Sequence, residues 1–73
     1  MKFDYGDEVV LRTQDERGGS VARQCSVVGI TAVETAAQSI ALSHPVGTIL
    51  YTVEFGDGSD ILVPEERLAS FDA

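Results

Sequence analysis

The clearest alternation of apolar and polar residues lies in the C-terminal half of the chain. Apolar Tyr51, Val53 and Phe55 alternate with polar residues, and a second apolar run, Ile61–Val63, follows a Gly-Asp-Gly-Ser break. A period of two places alternate side chains on one face of a strand, and such a break is typical of a hairpin turn. The pattern predicts a β-hairpin with strands over 48–55 and 60–63, whose Tyr51 face lies in the core.

Two further strands are predicted upstream of this hairpin. Val9–Leu11 follows a Gly-Asp-Glu turn and forms the first, and the second extends from about residue 21 to residue 33 with Gly29 inside it. A glycine within a strand often marks a bulge or a sharp bend, which a small barrel needs in order to close. The polar run over 12–19 is expected to be a connecting loop.

The period changes after the second strand. Two capping-box patterns occur in succession, beginning at Thr31 and at Thr35. We expect Thr35 to cap a short helix over 36–43, because good helix formers follow it, whereas the residues before it suit a strand. Three side chains of this helix would face the core: Ala37, Ile40 and Ala41.

The segment after Pro64 is expected to close the fold. Proline cannot donate to a β ladder, so Pro64 ends the fourth strand, and Glu65–Leu68 has the length of one helical turn. Leu68 would return to the core, and Ala69–Phe71 would add a short closing strand that buries Phe71. The sequence therefore predicts a single, mainly β domain over 1–73: a small bent antiparallel sheet of four or five strands with one helix inserted between strands 2 and 3.

The net charge of the chain limits which kinds of partner are expected. Twelve acidic residues against five Lys and Arg give 73 residues a net charge of −7. Such a surface repels phosphate backbones, so we expect no nucleic-acid partner, and it attracts basic proteins. No run approaches the length of a bilayer span, and no apolar start resembles a signal peptide, so the sequence predicts a soluble cytoplasmic protein.

Catalytic and metal chemistry find little support in the sequence. Cys25 is the only cysteine, which excludes an intramolecular disulfide, and with His44 it supplies at most two of the four usual zinc ligands. The run Asp57–Asp60 has calcium-loop composition, but the glycine and glutamate of an EF-hand loop are missing at Leu62 and Leu68. We therefore expect neither an enzyme nor a cofactor.

The order of short motifs along the chain resembles two groups of known proteins. Gly-Asp-x-Val-x-Leu, Val-Val-Gly-Ile, Tyr-x-Val-x-Phe-x-Asp-Gly and Val-Pro-x-x-x-Leu, over nearly the whole chain, is similar to SH3-like and Tudor-like barrels. The segments 29–35, 45–48 and 51–60 resemble small immunity proteins encoded beside bacterial polymorphic or contact-dependent toxins. The second resemblance implies a cytoplasmic protein that binds and blocks its cognate toxin domain, often a nuclease, without chemistry of its own.

An acidic inhibitor of this kind would use the carboxylates around the predicted hairpin. The candidate partner-binding residues are Glu54, Asp57, Asp60, Glu65 and Glu66. The alternative is an SH3-like interaction module that reads a basic peptide or regulates a larger enzyme, for which Tyr5 and Tyr51 would have to line an aromatic groove. A structural subunit is a third possibility, and the sequence leaves the oligomeric state open.

Overall fold

The fold is a single antiparallel sheet with one short helix inserted into it. The computed structural model describes residues 2–14 and 17–71. Five strands are hydrogen-bonded in the order β4-β3-β2-β1-β5. Their bounds are β1 Glu8–Gln14, β2 Ser20–Ala32, β3 Ile49–Glu54, β4 Asp60–Pro64 and β5 Leu68–Ser70, with helix α1 at Ala36–Leu42 and a 3-10 turn at Glu65–Arg67.

This architecture confirms the mainly β prediction and the place of the helix between the second and third strands. The sheet is open, because β4 and β5 are its two edges and form no ladder with each other in the described part of the chain. β1 contains residues 12–14, so the connection to β2 is shorter than the polar run predicted. Asp15 and Glu16 of that predicted loop lie outside the described residues.

The core cluster lies on the face of the sheet that the alternation predicted, and two further buried side chains, Leu50 and Val33, lie outside this cluster. Tyr51 and Val53 are fully buried and Phe55 nearly so. Residues of every strand join them, since antiparallel partners in register share a face. The cluster consists of Phe3, Val9, Leu11, Cys25, Val27, Tyr51, Val53, Phe55, Val63 and Leu68, with Ile30 and Ile49 packed against it.

Gly29 lies at a β-bulge, as the sequence indicated. The pairing of β2 with β3 shifts between Val27, opposite Val53, and Gly29, opposite Thr52, so that one extra residue, Val28, is accommodated. A Cβ built on Gly29 would lie 3.2 Å from the Thr52 Cβ and Oγ1. The bulge therefore combines a change of strand direction with a close approach that only glycine permits without adjustment.

The helix begins at the predicted capping box, but its end and its buried side differ from the prediction. The Thr35 hydroxyl accepts from the Gln38 backbone N–H, and the Gln38 side chain accepts from the Thr35 N–H, so both parts of the box are formed. The helix ends at Leu42, one residue earlier than expected, and Ser43 caps it in the left-handed conformation with φ 59°.

The prediction that Ala37, Ile40 and Ala41 face the core is wrong. All three are exposed, and the half-buried helical positions are Ser39 and Leu42. The core cluster is built from the strands together with Phe3 and Phe55, which lie outside them, and α1 contributes no buried residue.

Ile40 provides a test of this arrangement. Its side chain is 82% exposed, so Ile40→Ser is expected to change the free energy of unfolding by no more than about 0.5 kcal/mol, as for other surface substitutions. Chemical denaturation measures this. A loss of about 2 kcal/mol or more, which is typical of a core side chain, would contradict the exposed position of the helix.

The end of the chain also differs from the prediction. β5 ends at Ser70, and Phe71 follows it as an exposed side chain rather than as a buried strand residue. The Phe71 N–H donates to the Glu8 carbonyl at 3.3 Å, which holds its backbone at the sheet edge, while Leu68 fills the core position beside Leu11. In the described part of the chain, no helix combines the length and apolar character that a bilayer span requires.

Candidate functional site

Three carboxylates line up across the face of the sheet opposite the core cluster. In register, Glu8 of β1 is opposite Ser26 of β2, Ser26 is opposite Glu54 of β3, and Glu54 is opposite Asp60 of β4. Directly opposed residues share a face, so these side chains form one row that crosses four strands. Two members of the row, Glu54 and Asp60, are predicted site residues, and the structure brings them together.

Glu8 is a member that the sequence prediction missed. It lies far from the hairpin in sequence and reaches the row only through the β1–β2 register. Its carboxylate accepts from the Ser26 hydroxyl at 3.1 Å and from the Gln24 side-chain amide at 3.0 Å, which fixes its orientation on the sheet. Within the described residues, no cation forms an ion pair with any carboxylate of the row.

Apolar side chains lie on the same face beside the row. Thr52 lies two residues before Glu54, and it is opposite Leu62 on one side and the bulge at Val28 and Gly29 on the other. Leu62 and Val28 are both exposed, at 41% and 47%. We call this surface the acidic face, defined by Glu8, Ser26, Val28, Thr52, Glu54, Asp60 and Leu62.

A depression opens at the end of the acidic face. It has a volume of about 390 Å³ and is bounded by Glu8, Ser26, Glu54 and the turn glycines Gly56 and Gly58. Two carboxylates therefore line a recess large enough for a side chain. A guanidinium or ammonium group entering it would meet hydrogen-bond acceptors on charged groups, which make the stronger class of hydrogen bond.

Asp57 lies next to the row but is occupied by its own turn. Its Oδ1 accepts from the Ser59 N–H at 2.9 Å and from the Ser59 hydroxyl at 2.6 Å. These bonds hold the pKa of Asp57 below its usual range. Gly58 has a φ of +87° in the same turn, so the Asp-Gly pair serves hairpin geometry while Asp57 adds an ionised, exposed charge.

Glu65 is a structural residue rather than part of the row. The buried Tyr51 hydroxyl donates to its Oε2 at 2.7 Å, and the Lys2 backbone N–H donates to the same oxygen at 3.2 Å. These contacts, the Tyr51 bond above all, hold the pKa of Glu65 below its usual range. Glu65 and exposed Glu66 follow β4 at the end opposite to Asp60, so the structure separates them from Glu54 and Asp60.

The lowered pKa of Glu65 predicts a pH dependence of stability. Because the folded pKa lies below the unfolded one, the ionised carboxylate stabilises the fold above the ordinary glutamate pKa, and this contribution is lost as the pH falls through the folded value. Glu65→Gln is therefore expected to lower the free energy of unfolding more at about pH 7 than at about pH 3, where the native carboxylate is more protonated. Urea denaturation of both chains at each pH measures this. An equal effect at both pH values would show that charge is not what Tyr51 recognises.

The other residues considered for chemistry have structural positions. Cys25 is buried in the core, and burial raises the pKa of its thiol, so its thiolate is disfavoured. Arg23 lies over the Phe55 ring, 3.9 Å from Cζ to the centroid, and covers an end of the core. His44 is half-buried, and the described residues contain no group of three or more potential metal ligands.

The aromatic groove required by the alternative hypothesis is not formed by the two tyrosines. Tyr51 is fully buried, with its ring edge-to-face on Phe3 at a centroid distance of 5.5 Å, whereas Tyr5 is 64% exposed. A groove that reads peptides needs two accessible rings side by side. Tyr5 and Tyr51, the candidates for such a groove under the alternative hypothesis, therefore do not form it, and Tyr51 is a core residue as its alternation predicted.

Comparisons with known proteins add no family to this description. Neither the protein-family models, nor the curated proteins, nor the solved structures contain a match to this chain.

Proposed function

We propose that this protein is an immunity protein that binds a cognate basic toxin domain through the acidic face and thereby neutralises it. The observation that carries the proposal is the row of Glu8, Glu54 and Asp60, which crosses the sheet and is not ion-paired with any cation among residues 2–14 and 17–71. A fold needs no such row for its own stability. A partner that brings lysine or arginine side chains would supply the missing opposite charge.

The electrostatics of the row fit rapid binding to a basic protein. Several negative charges on one face, added to a net charge of −7, make the local electrostatic potential more negative and steer a cationic partner toward that face. A nuclease toxin must itself carry cationic groups that hold phosphates, so an acidic inhibitor can occupy that surface. Association should therefore slow as salt screens the charges.

The apolar part of the acidic face would supply affinity that charge alone does not. Leu62 and Val28 are exposed beside the row, and burying such side chains contributes about 25 cal/mol per Å² of apolar area removed from water. An interface with an apolar centre next to charged groups is the usual anatomy of a specific protein contact. The acidic face thus places exposed apolar side chains next to the row of carboxylates.

The row of carboxylates also lowers the stability of the unbound protein. Glu54 and Asp60 are direct cross-strand neighbours, and like charges in that position destabilise a sheet by about 0.2–1 kcal/mol. A lysine in place of either carboxylate would relieve this repulsion. An arrangement that weakens the fold but prepares a charged surface is expected at a binding site rather than at a purely structural one.

The resemblance to immunity proteins implies the kind of partner and the compartment in this proposal. The chain would act in the bacterial cytoplasm on a toxin domain encoded directly upstream, with no catalytic step of its own. Glu54 and Asp60 would contact the toxin, with Asp57 beside them at the turn. Glu65 would hold the fold, and Glu66 would lie at the far end of β4.

Co-expression with the toxin domain encoded immediately upstream tests the proposal. Cells carrying both proteins are expected to grow, and the purified pair to form a complex whose association rate falls steeply with ionic strength. Killing in spite of soluble expression of this chain would overturn the proposal. A complex whose formation is indifferent to salt would overturn the role assigned to the acidic face.

A further inference from the structure

One edge of the sheet is uncovered and long enough to accept another strand. β4 pairs with β3 on one side only, and no described strand lies on its other side. The opposite edge, β5, has only three residues. An edge strand presents unpaired backbone groups that can extend the sheet with an added segment.

The register identifies which residues of β4 present these groups. In an antiparallel pair, residues alternate between those that bond across the ladder and those whose N–H and C=O point away from it. The Phe55 N–H donates to the Ser59 carbonyl at 2.8 Å, so Ile61 and Val63 bond to β3 and the residues between them point outward. Pro64, which has no N–H, falls on an outward position as this alternation requires. Leu62 therefore directs both its N–H and its C=O away from the sheet.

The side chains of β4 do not protect this edge. Ile61 is 42% exposed and Leu62 is 41% exposed, and they lie on opposite faces of the sheet. Natural edge strands are commonly protected by lysines, prolines or bulges along their length. β4 has no lysine and no bulge, and its proline is the last residue.

Charge at both ends of β4 indicates what would bind there. Asp60 and its cross-strand neighbour Glu54 lie at the start of the strand, and exposed Glu66 follows its end. An added strand with basic residues at its ends and apolar residues in its middle would match this edge. A second copy of this chain would not, because it carries the same negative charges.

We infer that β4 is a strand-addition site for a cationic, extended segment of a partner protein, which bonds to the outward N–H and C=O of Leu62. This inference rests on the proposed function, since it assigns the mode by which a basic partner would bind beside the acidic face. Main-chain bonds to β4 would fix the position of the segment. Leu62 and Ile61 would contact its side chains on the two faces.

The test uses a peptide and does not depend on the toxin. The probe is an acetylated and amidated peptide, Lys-Val-Thr-Val-Thr-Val-Lys, with Lys-Val-Thr-Pro-Thr-Val-Lys as its control. In the free protein, amide hydrogen exchange should be slow at Ile61 and Val63 and fast at Leu62. The first peptide is expected to slow exchange at Leu62 by about tenfold or more, and the proline peptide to leave it unchanged.

Two substitutions at one position separate the backbone bond from the side-chain contact. Leu62→Pro removes the outward N–H at an edge position where proline is tolerated, and Leu62→Thr keeps it while shortening the apolar side chain. We expect Leu62→Pro to weaken peptide binding by about tenfold or more, and Leu62→Thr by about threefold or less. Protection retained at Val63 shows that each variant keeps the β3–β4 ladder.

Three results would overturn the inference: equal affinity of the two variants, no protection of the Leu62 amide in the unsubstituted chain, or a dimer that forms through β4 without peptide. The amide measurement decides the question even if Leu62→Pro does not fold. Because no toxin is involved, peptide docking together with failure to protect cells would reject the immunity function alone. Protection of cells without peptide docking would reject only the strand-addition mode.

Discussion

Glu54→Lys is expected to stabilise the protein and at the same time to impair its binding to a basic partner. The free energy of unfolding should rise by about 0.2–1 kcal/mol, because lysine replaces one of two like charges that oppose each other across β3 and β4. Affinity for the toxin should fall by about 10–100-fold, since a like-charge contact across an interface costs a few kcal/mol. Denaturation and binding measurements on one purified variant check both changes.

Glu34→Lys is the matched control for this substitution. It changes the net charge by the same amount, and Glu34 is exposed beside the helix and away from the acidic face. We expect it to leave affinity within about threefold of the original. An equal loss in both variants would mean that overall charge, rather than the row, attracts the partner. A destabilised Glu54→Lys would instead assign Glu54 a structural role.

Tyr51→Phe is expected to cost about 1–3 kcal/mol of stability although it keeps the ring. The Tyr51 hydroxyl accepts from the backbone N–H groups of Lys2 and Phe3, at 3.1 and 3.2 Å, and donates to Glu65 at 2.7 Å. Phenylalanine would leave the buried Phe3 N–H without its partner, and the desolvation cost of that group would appear in full. For so small a domain, total stability is about 4–11 kcal/mol, so the loss should be obvious in urea denaturation.

Tyr5→Phe is a control for Tyr51→Phe, because it removes the same hydroxyl from a side chain that is largely exposed. Its effect should stay within about 0.5 kcal/mol. Combining Tyr51→Phe with Glu65→Gln should cost less than the sum of the two single changes, since both remove the same hydrogen bond. Strict additivity would show that this bond contributes nothing to stability.

The strands were predictable because their signals are local. Alternation at Tyr51, Val53 and Phe55 fixed the buried face, the Asp-Gly turn fixed the hairpin, and the glycine in the second strand marked the bulge. The capping box at Thr35 is also a local signal, since its two hydrogen bonds join residues three apart. Each of these features is decided by neighbours in sequence.

The predictions that failed concern features that depend on contacts between residues distant in sequence. Ile40 and Phe71 are large and apolar, which favours burial, but both are exposed and neither belongs to the core cluster, whose members come from distant parts of the chain. Glu8 could not be assigned to the site because only the β1–β2 register brings it to Glu54 through Ser26. The structural role of Glu65 could not be predicted either, because it depends on a hydrogen bond from Tyr51, which is distant in sequence.

The ladder between β1 and β5 has a kinetic consequence. It pairs Val9 with Ser70, and the Tyr51 hydroxyl likewise bonds to Lys2 and Phe3, so strands near opposite ends of the chain must meet before the core is complete. The β3–β4 hairpin can form from local contacts, whereas these pairings require closure of a loop that spans most of the sequence. Folding should therefore be slow for a protein of this size, with β1 and β5 joining last and the hairpin first.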